Sequence, residues 1–172
     1  MRAVPHIQKA RPNARILVIG GNDVSYGGKN KHPGGLRGQM EAEVGHLIDW
    51  DRLHFLGQVP YESYQSIIQI STCHMYLSMP FVLSWSLLES MSMEATIVAS
   101  DVAPVSEAIT HGETGLLVDF FDAEAIAAQV VDVLAQPRAS AHMTSKPFVC
   151  PNISVKSTRL FPRTSRSRWV RR

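Results

Sequence analysis

Short apolar runs alternate with amphipathic segments along the first 136 residues. Runs that are rich in β-branched residues or end on glycine predict five strands, at 14–21, 54–57, 73–77, 96–100 and 116–118. Apolar residues at helical spacing predict helices between them, at 36–47, 61–71, 84–93, 105–109 and, after a cap at Asp122, 123–134. In the second of these helices, Tyr61, Tyr64, Ile67 and Ile68 share one face.

This alternation predicts the fold class. Strands that are apolar throughout, separated by amphipathic helices, are typical of a parallel sheet that is covered on both faces. We therefore expect an α/β, Rossmann-like layer, in which ligands bind where the strands end and the helices begin. The loops to consider are those after the strands, at 21–35, 57–60, 78–84 and 100–104.

Composition and charge divide the chain into two parts. Residues 1–136 hold eight Lys and Arg and all 15 acidic residues, a net charge of −7, whereas residues 137–172 hold nine Lys and Arg and no acid, a net charge of +9. The second part also has four prolines and no hydrophobic period, which is typical of disorder or of sequence that has left its reading frame. We expect a domain at 1–136 and a basic tail at 137–172.

The remaining composition narrows the class of protein. An apolar fraction of 45% with 19% charged residues is typical of a globular domain, and no apolar run approaches the roughly 18 residues of a membrane span. The first residues show no secretory signal, and nothing pairs Cys73 with Cys150. We expect a cytoplasmic protein without a transmembrane segment. The seven histidines show no metal-ligand spacing, and we expect no metal and no cofactor.

The segment 80–90, PFVLSWSLLES, carries the candidate chemistry. Ser84 is a good N-cap, and unpaired N–H groups at a helix start favour an anion such as a phosphate. Glu89 follows about one and a half turns later, and its side chain leans back toward the helix start, where it could reach a ribose. An ordinary capped helix with a surface glutamate explains the same residues.

Several motifs together resemble a known family. They are ILVIGGNDVSYG at 16–27, YLS-x-PFVLSWSLLE at 76–89, IVASD-x-APV-x-E-x-I at 97–109 and HGETGLLVDFFD at 111–122. In this order they are similar to the donor-binding domain of the family 4 glycosyltransferases, which are retaining enzymes of GT-B architecture. The resemblance implies binding of a nucleotide diphosphate sugar, a UDP- or GDP-sugar, with no specific nucleic acid partner.

The family's signature is a pair of glutamates in the form E-G-x-G-L-x-x-x-E. The second matches Glu89, which the resemblance implies holds the ribose, whereas Phe81 stands in place of the first and has no acceptor for a sugar hydroxyl. Backbone N–H groups of Leu83, Ser84 and Trp85 would still contact the diphosphate. The family's catalytic residues find no clear counterpart in this chain.

The resemblance assigns two further loops to the site. Gly21 and Asn22 follow the first strand, where the family's loop approaches the donor, and Gln58 and Val59 follow the second, in the region that contacts the base. For both loops, a tight turn without a ligand is the alternative. Glu94 stands where the family usually has a glycine that ends the helix, and keeping that geometry should cost about 1 kcal/mol.

The resemblance covers only part of a GT-B enzyme. It implies that the N-terminal domain, the first strand of the donor domain and the basic loop after that strand are absent from this chain. Our expectation is a donor-binding domain that transfers no sugar alone. Two alternatives stay open: a gene fragment without function, and a polyanion binder that works through its basic tail.

Overall fold

The structure is a computed structural model, and it describes residues 1–21, 31–79 and 82–136. Within these residues six helices alternate with five strands, and two short 3-10 turns at Gly45–Leu47 and Trp50–Arg52 precede the second strand. In chain order the elements are α1 (Val4–Ala10), β1 (Ile16–Ile19), α2 (Gly35–Val44), β2 (Leu53–Gly57), α3 (Tyr61–Ile70), β3 (His74–Tyr76), α4 (Trp85–Ser92), β4 (Ile97–Ser100), α5 (Ala103–Ser106), β5 (Leu116–Val118) and α6 (Ala123–Ala135).

The central strand β4 shows why helices cover both faces. All four of its residues are buried, and successive side chains of a strand point to opposite faces. Val98 packs in a cluster with residues of α1 and α6, whereas Ile97 and Ala99 pack with residues of α3, α4 and α5. The predicted fold class, an α/β layer with helices on both faces, is confirmed.

The strands are parallel, but their hydrogen bonding differs from the single sheet that we expected. β1 pairs with β2, and β4 lies between β3 and β5, while within the described residues no ladder joins β1 to β3. Helix α1 connects the two sheets, because Ile7 packs in the cluster of β4 and Val4 packs in a second cluster with Leu53 of β2. The two sheets therefore share a layer of helices rather than a continuous ladder.

Helix α4 begins and ends as its sequence predicts. The Ser84 hydroxyl accepts from the Ser86 N–H at 3.2 Å, which is an N-cap. At the other end, Glu94 donates its N–H to Met91 and Ala95 donates to Ser90, the two bonds of a Schellman motif. Glu94 has φ 58°, so it occupies the left-handed position that the resemblance assigned to glycine. Among the described residues it is the one non-glycine with positive φ.

Other predictions differ in detail. Helix α1 is not among the helices that spacing predicted, because its seven residues include a proline and three polar or charged side chains. Tyr61 is 55% exposed, although its spacing placed it on the apolar face of α3, because the first turn of that helix extends past the core. Asn22, Phe81 and the tail from residue 137 lie outside the described residues.

Candidate functional site

The predicted loops lie at the carboxyl ends of the strands. The Gly20 N–H donates to the Gly57 carbonyl at 2.9 Å, so β1 and β2 end side by side. Gly21 and Gln58 follow directly and are exposed, and Val59 is half-buried. Positive φ at Gly20 and Gly57 turns both chains out of the sheet. The two loops therefore lie next to each other, a contact that the sequence alone did not predict.

The loop before α4 lies at the end of β3. Leu83 is half-buried and packs against the core cluster of α3, α4 and α5, whereas Trp85 is 68% exposed at the first turn of α4. The Ser84 N–H donates to the Tyr76 hydroxyl at 3.2 Å, which fixes the loop to the end of β3. One of the three N–H groups predicted to face a diphosphate is thus engaged within the protein, and a phosphate would have to compete with Tyr76 for it.

Glu89 lies in the second turn of α4 and meets the first turn of α3. The Tyr61 hydroxyl donates to Glu89 Oε1 at 3.1 Å. Beside it, the Tyr64 hydroxyl donates to the Ser86 carbonyl at 3.2 Å and lies 3.4 Å from the hydroxyl of buried Ser90. The rings of Tyr61 and Tyr64 stack with centroids 6.1 Å apart. Two tyrosines therefore join α3 to α4 next to the predicted ribose residue.

Sequence reasoning missed these hydroxyls. Helical spacing places Tyr61 and Tyr64 on an apolar helix face, and the signal for their polar role is that both are tyrosine rather than phenylalanine or leucine. Loss of hydration raises the pKa of Tyr61, and the neighbouring Glu89 carboxylate raises it further. Loss of hydration also raises the pKa of Tyr64. Both phenols are therefore protonated near neutral pH and act as hydrogen-bond donors.

The segments that follow β3, β4 and β5 line a separate, open cavity of about 240 Å³. Two of its carboxylates are already hydrogen-bonded, since Asp101 accepts from the Ser106 hydroxyl at 3.0 Å and Asp119 accepts from the Phe121 N–H at 2.7 Å. Paired carboxylates disfavour an anionic ligand at this place. None of the predicted donor residues lines the cavity, which is formed by Met79, Asp101, Val102, Asp119, Phe120 and Phe121.

Ion pairs engage several basic side chains in the described part of the chain. Its three ion pairs join Arg2 to Glu43, Arg37 to Glu41 and Arg52 to Asp49, around α1, α2 and the start of β2. No group of three or more His, Cys, Asp or Glu in this part is placed to hold a metal ion. Burial raises the pKa of the Cys73 thiol to about 12, so it stays protonated and inert. None of the described helices is long and apolar enough to cross a membrane.

Comparison with known proteins gives one family. Residues 1–146 match the family model described as glycosyl transferases group 1. The match covers most of the chain and extends ten residues past the predicted domain border at 136. A comparison with curated protein sequences gives no significant match.

Three solved structures illustrate the proteins that share this fold. Sucrose-phosphate synthase from Thermosynechococcus elongatus has a TM-score of 0.66 at 24% identity, over 84% of this chain and 35% of the other. HepE from Anabaena, solved with UDP-glucose, has a TM-score of 0.70 at 16% identity, over 84% and 37%. The pneumococcal O-GlcNAc transferase GtfA, solved with UDP and GlcNAc, has a TM-score of 0.62 at 16% identity, over 83% and 27%. The chain thus spans about a third of the length of these proteins.

Proposed function

Because the chain belongs to the group 1 glycosyl transferases, we propose that it binds a nucleotide diphosphate sugar. It would form the donor-binding part of a retaining, family 4-like enzyme of GT-B architecture that transfers the sugar to an acceptor. The observation that carries this proposal is the position of the Glu89 carboxylate behind the capped start of α4, at the carboxyl edge of a parallel sheet.

Two parts of helix α4 would contact different parts of the ligand. The N–H of Trp85 has no acceptor within the described residues, and it points from a helix start that carries about half a positive charge. Glu89 follows four residues later, about 6 Å along the helix axis. A diphosphate at the helix start would therefore place the attached ribose within reach of the Glu89 carboxylate.

The base would lie against the loops after β1 and β2. Gly21, Gln58 and Val59 present backbone groups there, next to the first turn of α3 that contacts Glu89. Backbone contacts do not by themselves separate uracil from guanine, so we propose UDP- and GDP-sugars as the donor class. HepE and GtfA, which share the fold, were solved with UDP, and this supports the uridine form.

We further propose that this chain needs a second domain for transfer. Glycosyl transfer requires positive charge on the diphosphate leaving group, and such stabilisation is usually the largest contribution of a site. Each of the three described ion pairs already commits its arginine to a carboxylate. Exposed apolar side chains of Met79, Val82, Trp85 and Phe121, on loops and the helix start at the strand ends, would be covered by the second domain. Among the described residues no ladder joins β1 to β3, and a further strand would fit between them.

Calorimetric titration tests the binding claim with UDP, GDP and one sugar derivative of each. We expect weak binding of at least one of them, and no heat of binding from any at millimolar concentration would refute it. Glu89→Ala should weaken binding at least tenfold, because it removes hydrogen bonds to a charged group that are worth about 1.5–3 kcal/mol. Glu124→Ala, an exposed glutamate on α6, is the matched control and should bind as the unmodified chain does.

A further inference from the structure

We propose that Tyr61 is a positioning residue of the donor site, which orients Glu89 for a ribose and couples it to the loop that contacts the base. This inference rests on the proposed function and goes beyond it, because it assigns the ribose selectivity of the site to a pair of side chains from two helices. Neither residue is close to the other in sequence, since 28 positions separate them.

The geometry gives each carboxylate oxygen a separate role. The Tyr61 hydroxyl occupies Oε1 of Glu89 at 3.1 Å, and within the described residues no donor contacts Oε2. A carboxylate held by one fixed donor loses rotational freedom before a ligand arrives, which lowers the entropic cost of binding. Oε2 is then the oxygen that accepts from a ribose hydroxyl.

The Tyr61 ring is itself held in place. It stacks on Tyr64, whose hydroxyl bonds to the Ser86 carbonyl on α4 and lies beside the fully buried Ser90. Tyr64 therefore sets the spacing of α3 and α4, and Tyr61 uses that spacing to reach the carboxylate. The two tyrosines have different roles, which makes Tyr64 a control for Tyr61.

The position of Tyr61 also couples two parts of the ligand. It is the first residue of α3, and only Pro60 separates it from Gln58 and Val59. A base that moves this loop would move the phenol, and the phenol would move the carboxylate. Ribonucleoside diphosphates are thus the ligand class for which the contacts to base and ribose reinforce each other.

The test compares UDP with 2′-deoxy-UDP and 3′-deoxy-UDP by calorimetric titration of the full chain. The unmodified chain should prefer UDP over at least one deoxy form by about tenfold, and Glu89→Ala should remove that preference. Tyr61→Phe should reduce the preference to about threefold or less without changing the melting temperature, because Tyr61 is exposed. Tyr64→Phe keeps the ring that stacks on Tyr61 and loses only the hydroxyl contacts to Ser86 and Ser90, so it should lower the melting temperature and reduce the preference less than Tyr61→Phe does.

The outcomes separate this inference from the proposed function. If no nucleotide binds, the proposed function fails and the inference falls with it. If UDP binds with a preference that Tyr61→Phe leaves at tenfold, the function stands and the inference is overturned. Equal losses in the Tyr61 and Tyr64 variants would assign the effect to the spacing of the helices and would also overturn it.

Discussion

Replacing Glu94 by glycine should stabilise the protein, because this residue holds a backbone conformation that favours glycine. Glu94 is the C′ residue of the Schellman motif that ends α4, with φ 58°. Its N–H donates to Met91 at 3.1 Å, and Ala95 donates to Ser90 at 3.0 Å. Both bonds use backbone atoms only, so glycine retains them.

The magnitude follows from three contributions. The left-handed conformation costs an L-residue about 1–2 kcal/mol, and glycine removes this cost. Glycine gives the unfolded chain more freedom, which returns about 0.4–1 kcal/mol. A negative charge beside a helix carboxyl end is unfavourable by a few tenths of a kcal/mol, and Glu94→Gly removes that charge as well. The net change is a gain of about 1 kcal/mol in the free energy of unfolding, which corresponds to roughly 2–4 °C in melting temperature for a chain of this size.

Urea unfolding followed by circular dichroism measures this gain. Glu94→Ala removes the charge but keeps a Cβ in the strained conformation, so it should gain less than half as much. Ser92→Gly, in the right-handed last turn of the same helix, should instead lose roughly 0.5–1 kcal/mol. If Glu94→Gly is no more stable than Glu94→Ala, the backbone strain is not the cause and the reasoning is refuted.

Two further predictions concern the same half of the domain. Ser84→Ala should lower the free energy of unfolding by about 1 kcal/mol, because the Ser86 N–H loses its cap. The control Ser66→Ala, on the exposed side of α3, should change the free energy of unfolding by less than half as much. Equal losses in urea unfolding would contradict the capping role of Ser84. Burial lowers the pKa of His74, whose Nε2 has no hydrogen-bond partner in the described part of the chain, so the folded state resists protonation while the unfolded chain takes up a proton below about pH 6.5. The free energy of unfolding should therefore fall as the pH falls below 6.5, by up to about 1.4 kcal/mol per pH unit, and His74→Phe should flatten this dependence in urea unfolding at several pH values. The exposed His6→Asn variant should retain the slope, and a slope that survives His74→Phe would assign the effect to other groups.

Local pattern was enough to predict the elements that carry the site. Short apolar runs predicted the five strands, and helical spacing predicted the helices between them. A serine before one apolar run predicted the Ser84 cap, and an aspartate before another predicted the Asp122 cap. These features depend on residues within one or two turns of each other, so the sequence contains all the information that they need. The strained position of Glu94 was predictable for the same reason, once the resemblance supplied the expected glycine.

The tertiary structure decided which of these elements meet. Sequence spacing cannot show that the Tyr61 hydroxyl reaches Glu89, or that Tyr76 takes the Ser84 N–H, because those contacts depend on how α3, α4 and β3 pack over one core. Pattern also predicted one sheet, whereas the strands form two sheets that α1 joins through side chains. The physical reason is that hydrophobic periodicity records which face of an element is buried, while the partner across that face is fixed only when all the elements pack together.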